Sequence, residues 1–244
     1  MRDGFVKVAA VTPDIRVADV AYNTQNICKM IDETVAKGAK VIVFPELCVT
    51  GYTCSDLFTQ DILLKKSKEA LFKIAEYTKE KDAIIFIGVP LAIDGELYNV
   101  AAALNHGEIL GLTTKTFLPN YGEFYEMRQF RPGPDKARWI TLDGKQIPFG
   151  PQLLFVVDQM EELVISAEIC EDVWSPVPPS TLAAREGATV IVNCSASDET
   201  IGKASYRESL IEGQSARLIC GYIYANAGEG ESTTCLLYTS DAAD

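Results

Sequence analysis

The stretch Lys40-Val41-Ile42-Val43-Phe44-Pro45-Glu46 holds a short apolar run that stops at a proline and is followed by a carboxylate. A run of this length, with no polar residue at alternate positions, is typical of a strand buried on both faces. Residues 83–89 have the same pattern. Because a sheet with two buried faces must be covered by other layers, these runs predict an α/β protein.

Strand and helix patterns alternate on both sides of this stretch. Ser180 is predicted to cap the third helix, and no linker rich in Gly, Ser and Pro divides the chain. We therefore predict one α/β domain built as a four-layer α-β-β-α sandwich. Strands are predicted at 6–12, 40–44, 83–89, 97–104, 109–114, 153–157, 163–169, 189–193 and 221–225, and helices at 23–37, 67–80, 180–187 and 203–218.

Composition excludes several classes of protein. The 244 residues are 48% hydrophobic and 23% charged, which is ordinary for a globular domain. The net charge of −12 argues against nucleic acid or an anionic membrane as a partner. The longest nearly uncharged apolar stretch, 83–93, is too short to span a bilayer, and no signal-peptide core precedes the first strand. We expect a soluble cytoplasmic protein.

Cysteine and histidine usage narrows the chemistry further. The seven cysteines are an odd number without C-x-x-C spacing, so neither a disulfide framework nor a zinc ribbon is indicated. The single histidine, His106, lies in a predicted hairpin turn, which excludes a His-rich metal site. We therefore expect reduced thiols and no metal, and any mechanism that needs a histidine base must use His106.

Three polar residues follow predicted strands. Glu46 comes after 40–44, Lys115 after 109–114, and Cys170 after 163–169. Taken singly, Glu46 could cap its strand, Lys115 could be a surface charge, and Cys170 could fill a core. Together they form a chemical set in which the thiol attacks a carbonyl, the carboxylate takes its proton, and the ammonium stabilises the oxyanion. A base and a cation nearby would also favour the thiolate.

The surrounding motifs resemble a known superfamily. Phe44-Pro45-Glu46, Lys115 with Leu118-Pro119, and Cys170-Glu171-Asp172 resemble the Glu–Lys–Cys signature of the nitrilase, or carbon–nitrogen hydrolase, superfamily. Longer strings are similar to the glutaminase domains of glutamine-dependent NAD⁺ synthetases. These strings lie at 51–58, 118–126, 195–197 and 228–234.

The resemblance implies a role for each matching residue. Cys170 would be the nucleophile that forms a glutamyl thioester, Glu46 the base and then the acid, and Lys115 with the Glu171 N–H the oxyanion donors. Glu171 and Lys203 would bind the charged groups of glutamine, although some relatives have arginine at the position of Lys203. The residues expected to line the substrate pocket are Tyr52, Tyr121, Glu123, Phe124, Glu171, Ser197 and Lys203.

The resemblance also implies a domain organisation and a set of partners. Residues 1–234 would form the glutaminase domain, which needs no cofactor, and a synthetase domain that uses ATP and Mg²⁺ is absent from this chain. Residues 235–244 depart from the family pattern and look like an artefact. The expected partners are L-glutamine, the synthetase domain and further copies of the protein.

Two other readings remain open. The first is a free-standing amidase or carbamoylase of the same superfamily, against which the string Thr53-Cys54-Ser55-Asp56-Leu57-Phe58 argues. The second is a catalytically silent scaffold. The presence of Glu46, Lys115 and Cys170 argues against that reading.

Overall fold

The backbone forms two β-sheets. The structure, a computed structural model, describes residues 4–228 and 230–231, so the predicted 235–244 tail lies outside the described residues. The strands are β1 (Val8–Ala10), β2 (Val41–Val43), β3 (Ile84–Ile93), β4 (Glu96–Asn105), β5 (Glu108–Thr114), β6 (Arg138–Leu142), β7 (Lys145–Gly150), β8 (Leu154–Val157), β9 (Met160–Ile169), β10 (Val190–Ser195) and β11 (Gly221–Asn226). The first sheet has the order β1-β2-β3-β4-β5-β7-β6 and the second has the order β11-β10-β9-β8.

The two sheets pack against each other through a buried apolar layer. The first sheet contributes Val41, Val43 and Phe86, and the second contributes Ile165 and Val192. Neighbouring residues in the strands of the first sheet face the other way and belong to a separate cluster. Because successive side chains of a strand point to opposite faces, each unbroken apolar run serves two buried layers at once.

Helices cover the outer faces of the sandwich. The helices are α1 (Val20–Ala36), α2 (Asp61–Tyr77), α3 (Pro179–Arg185) and α4 (Lys203–Leu218). Ile27 of α1 and Leu71 of α2 pack in the cluster on the outer face of the first sheet. Ala183 of α3 packs with Ile191 and Cys220 on the outer face of the second sheet. The predicted four-layer α-β-β-α sandwich is confirmed.

The structure differs from the predicted elements at several places, and helix α2 begins at Asp61, six residues before its predicted start at 67. Helix α3 begins at Pro179, so Ser180 is not its N-cap, and the Ser180 N–H instead donates to the buried Glu168 carboxylate at 2.9 Å. The hairpin of β6 and β7 was not predicted. A 3-10 helix at Tyr52–Thr59 was not predicted either.

The turn that carries Glu46 packs directly on strand β3. A Cβ atom on Gly88 would lie 2.2 Å from the Leu47 nitrogen and 2.4 Å from the Pro45 carbonyl oxygen. The turn itself is strained, because Leu47 has a φ of 50°, which is uncommon for a residue with a side chain. Gly88 therefore allows the backbone approach that places the Glu46 side chain.

We expect Gly88→Ala to destabilise the protein, because the added methyl group overlaps backbone atoms that cannot rotate away. Overpacking of this kind costs about 1–3 kcal/mol in the free energy of unfolding, which urea denaturation measures. Gly213→Ala is the matched control. Its Cβ would enter open space within α4, where alanine should raise stability by about 0.5–1 kcal/mol. Equal stability of Gly88→Ala and wild type would contradict the close approach.

Candidate active site

The three residues singled out at predicted strand ends come together in one buried site. Glu46 lies in the turn after β2, Lys115 follows β5 directly, and Cys170 follows β9. Two antiparallel pairings through β4 leave β5 parallel to β3 and so to β2. The carboxyl ends of β2 and β5 therefore lie at the same edge of the first sheet. Glu46, Lys115 and Cys170 are 0%, 1% and 4% exposed.

The site contains a cluster of buried ionic and polar side chains that bind one another. Lys115 Nζ donates to Glu46 Oε1 at 2.6 Å and to Glu126 Oε1 at 2.9 Å. Asn99 Nδ2, from the middle of β4, donates to the same two oxygens at 2.6 and 3.0 Å. We call Glu46, Asn99, Lys115 and Glu126 the buried ion cluster.

Charge balance within the cluster fixes the state of the lysine. Burial alone would lower the pKa of Lys115, but the carboxylates of Glu126 and Glu46 outweigh that effect and raise the pKa well above its usual value. Lys115 is therefore an ammonium at any pH near neutrality. Burial raises the pKa of Glu126 to about 8, although the Lys115 ammonium opposes the shift.

Glu46 also links the two sheets. Its Oε2 accepts the N–H of Ala196 at 3.1 Å, and its own N–H donates to the Ser195 carbonyl at 3.3 Å. Both partners lie at the end of β10 in the second sheet, whereas Glu46 follows a strand of the first. The carboxylate is thus held from both sides of the sandwich.

Cys170 adopts a backbone conformation that is rare for a residue with a side chain. Its φ is 43°, and its N–H donates to Asn193 Oδ1 at 3.0 Å. Burial raises the pKa of the Cys170 thiol far above its ordinary value, and the Glu46 charge adds to the shift while Lys115 opposes it. The expectation of a thiolate is therefore wrong. A base must accept the thiol proton as the sulfur attacks.

Aromatic side chains border the ion cluster. The rings of Tyr52 and Phe124 meet edge to face with centroids 6.3 Å apart, and Tyr121 contacts Phe124 at 5.8 Å. The Tyr121 hydroxyl donates to the Glu171 carboxylate at 2.9 Å. Lys115 Nζ lies 5.9 Å from the centre of the Tyr52 ring. These four residues of the predicted pocket therefore form one continuous group beside the cluster.

The remaining predicted pocket residues differ in their contacts and in their exposure to solvent. Lys203 Nζ is 6.0 Å from the centre of the Phe124 ring and forms an ion pair with Asp198. Ser197 is buried, and its N–H is bound by the Asn226 side chain at 2.9 Å. The Glu123 side chain is exposed. Burial lowers the pKa of Lys203, while the Glu123 charge opposes that shift.

Sequence analysis missed two members of the buried ion cluster. Glu126 lies in the 118–126 string that carried the family resemblance, yet no role was assigned to it. Asn99 lies in β4, among residues that are otherwise almost all apolar. A lone amide inside a buried strand and a carboxylate inside an aromatic run are both sequence signals that could have identified these residues.

Two other observations bear on the chemistry. His106 lies in the exposed turn between β4 and β5, with its Nδ1 3.2 Å from the Lys79 carbonyl oxygen. Among residues 4–228 and 230–231, no group of three or more His, Cys, Asp or Glu side chains could hold a metal ion. None of the helices in the described part of the chain is long and apolar enough to cross a membrane.

The layered fold, with glutamate, lysine and cysteine gathered at strand ends, defines a hydrolase of the nitrilase type. The sequence pattern named carbon-nitrogen hydrolase matches residues 7–229, and the chain belongs to that family. It is 41% identical over 235 residues to the glutamine-dependent NAD(+) synthetase of Mycobacterium leprae. That match covers 96% of this chain but 35% of the relative.

Solved structures agree with this family. A glutamine-dependent NAD(+) synthetase from Cytophaga hutchinsonii matches with a TM-score of 0.82 at 32% identity, covering 91% of this chain and 36% of that one. An amidase of the nitrilase superfamily from Nesterenkonia matches with a TM-score of 0.74 at 20% identity, covering 97% and 81%, which shows the fold alone. The chain thus spans about a third of the length of the two synthetases it matches.

We expect Glu126→Gln to weaken the pH dependence of stability. An unfolded glutamate loses its proton near pH 4.3, whereas folded Glu126 keeps it until about pH 8. The folded state therefore binds more protons between these values, so the free energy of unfolding falls as the pH rises through them. Urea denaturation at pH 5, 6.5 and 8 should show a smaller fall for Glu126→Gln than for wild type.

Glu76→Gln is the control, because it removes a carboxylate from an exposed position on α2. Part of the fall should survive in Glu126→Gln, because burial also raises the pKa of Glu231 to about 7. An identical fall in wild type and Glu126→Gln would show that Glu126 is ionised in the folded protein.

Proposed function

We propose that this domain hydrolyses the side-chain amide of glutamine through a thioester on Cys170. The observation that carries the proposal is the burial of Cys170 beside a paired carboxylate and ammonium, next to an aromatic pocket edged by Glu171 and Lys203. The names of the 41%- and 32%-identical relatives support glutamine as the substrate.

In the first step the Cys170 sulfur attacks the amide carbonyl carbon of glutamine. The thiol proton passes to Glu46, because the raised pKa of the thiol requires a base during attack. The carbonyl oxygen becomes an oxyanion, stabilised by the Lys115 ammonium and by the Glu171 N–H. That N–H lies in the first turn of the 3-10 helix Cys170–Trp174, where N–H groups have no intrahelical partner.

In the second step the tetrahedral intermediate collapses. The carbon–nitrogen bond breaks as Glu46 returns its proton to the departing nitrogen. Ammonia leaves, and a glutamyl thioester remains on Cys170. Water then attacks the thioester while Glu46 takes a proton from it. The carbon–sulfur bond breaks, Glu46 gives that proton to the departing Cys170 sulfur, and glutamate and the free thiol are released. No histidine is needed, consistent with the remote turn position of His106.

Two charged side chains suit the free amino-acid end of glutamine. Glu171 is partly exposed beside Tyr121 and could accept from the α-ammonium group. Lys203, whose Nζ lies 6.0 Å from the centre of the Phe124 ring, could donate to the α-carboxylate. Lys203 would then exchange its contact with Asp198 for the substrate, and a substrate lacking either charged group would leave one of these partners unmatched.

The ammonia would be passed to an ATP-dependent synthetase domain that amidates deamido-NAD⁺. This assignment rests on the similarity to glutamine-dependent NAD(+) synthetases, of whose length the chain spans about a third. It makes this domain the ammonia source of a ligase and not a complete synthetase.

Three substitutions test the proposed mechanism, with release of ammonia from glutamine as the assay. Cys170→Ala should abolish turnover. Glu46→Gln should lower kcat about 10²–10⁴-fold through loss of the base. Lys115→Ala should lower it about 10²–10³-fold through loss of an oxyanion donor. His106→Ala, in the exposed turn, should leave the rate unchanged.

The assignment fails if Cys170→Ala retains full glutaminase activity. It also fails if His106→Ala inactivates while Glu46→Gln is silent, because the base would then lie elsewhere.

A separate experiment addresses the synthetase activity. We expect the 244-residue chain to form no NAD⁺ and to bind Mg-ATP without saturation in the micromolar range. Nucleotide phosphates need a loop of free N–H groups and cations, whereas the glycines of 228–231 alternate with glutamates. Calorimetric titration with Mg-ATP and an assay with deamido-NAD⁺ and glutamine measure this. Saturable binding or turnover would place synthetase chemistry in this domain.

A further inference from the structure

The carboxylate of Asp172 joins the two loops that carry Lys115 and the nucleophile. Its Oδ1 accepts the N–H groups of Thr116 at 3.0 Å and Phe117 at 2.8 Å. Its Oδ2 accepts the N–H of Ile169 at 2.9 Å. The first two donors directly follow Lys115, and the third directly precedes the nucleophile. Asp172 is fully buried, so these three bonds are shielded from water.

No backbone ladder sets the spacing of these loops. Lys115 follows β5 in the first sheet, and Cys170 follows β9 in the second. The hydrogen bonds of one sheet cannot fix a residue of the other, so side chains must do so. Glu46 bridges the sheets at the base of the site, but its bonds do not reach the backbone on either side of Lys115 or Cys170. The Asp172 side chain does.

We propose that Asp172 is a positioning residue that holds the Lys115 ammonium at the spacing from Cys170 needed to stabilise an oxyanion. The proposal extends the proposed function, but it applies to any acyl group transferred to Cys170. A misplacement of about 1 Å in a reacting group can cost about 10²-fold in rate. The cost should appear only in reactions that develop negative charge on oxygen.

Asp172→Asn tests this proposal. Asparagine keeps the volume but has one acceptor oxygen, so its amide group must face at least one of the three N–H donors. The contact to the Lys115 loop or to the Ile169 N–H is then lost, and the two loops are no longer joined through both oxygens.

Two reactions of the same sulfur separate positioning from general damage. Acylation by p-nitrophenyl acetate forms a sulfur–carbonyl bond through an oxyanion and expels p-nitrophenolate. Alkylation by iodoacetamide forms a sulfur–carbon bond and expels iodide, with no oxyanion. In both reactions Glu46 takes the thiol proton. We expect Asp172→Asn to be acylated about 10²-fold more slowly than wild type and alkylated within about threefold of the wild-type rate.

Glu168→Gln is the matched control. Glu168 is an equally buried carboxylate on β9, but it binds the Ser180 N–H and the Tyr222 hydroxyl and forms no hydrogen bond with the loop that follows Lys115. Both of its rates should stay within about threefold of wild type. Equal falls of acylation and alkylation in Asp172→Asn, no fall in either, or the same selective fall in Glu168→Gln would overturn the proposal.

A backbone variant covers the case in which Asp172→Asn does not fold. Replacing the amide of Phe117 with an ester removes one N–H donor to Asp172 and leaves every side chain in place. Slower acylation with unchanged alkylation would support the proposal, and unchanged rates of both would overturn it. Glutamine turnover is measured in parallel. If wild-type protein is acylated by p-nitrophenyl acetate but releases no ammonia from glutamine, the proposed function is refuted. The test of Asp172 still stands in that case.

Discussion

The burial of the Lys115 ammonium between the side chains of Glu46 and Glu126 constrains the rest of the structure. Removing a charge from water costs several kcal/mol unless partners with good geometry replace the lost hydration. Glu46 supplies the opposite charge, the Glu126 carboxyl group accepts a further hydrogen bond from the ammonium, and Asn99 donates to both side chains. Each partner comes from a different element, so the strands must end where these atoms meet. Deleting one member would leave the others buried and uncompensated.

The same cluster explains how a neutral thiol can serve as a nucleophile. Desolvation keeps Cys170 protonated, and the neighbouring Glu46 charge strengthens that preference. In the proposed mechanism the carboxylate that opposes ionisation is the group that receives the proton, so deprotonation and attack become a single event on substrate. The Lys115 ammonium has no proton to lose near neutral pH and acts only through its charge and its hydrogen bonds.

Much of the fold follows from short-range patterns. Apolar runs without alternation, such as the one ending at Phe44, predicted strands buried on both faces. The structure confirms that burial. Features set by distant contacts were not predictable in this way. Ser180 has an N-cap side chain, but the buried Glu168 already binds its N–H, and the helix begins at Pro179. Glu126 was given no role, because its pairing with Lys115 is visible only in the folded structure.

The central claim is that Cys170 carries the acyl group of glutamine during turnover. Its most direct test is mass spectrometry of protein mixed with glutamine and quenched in acid within the first turnover. The account predicts a glutamyl thioester on the peptide that contains Cys170 and an unmodified peptide around buried Cys194. Release of ammonia with no acyl group on Cys170, or with the group on another residue, would contradict it.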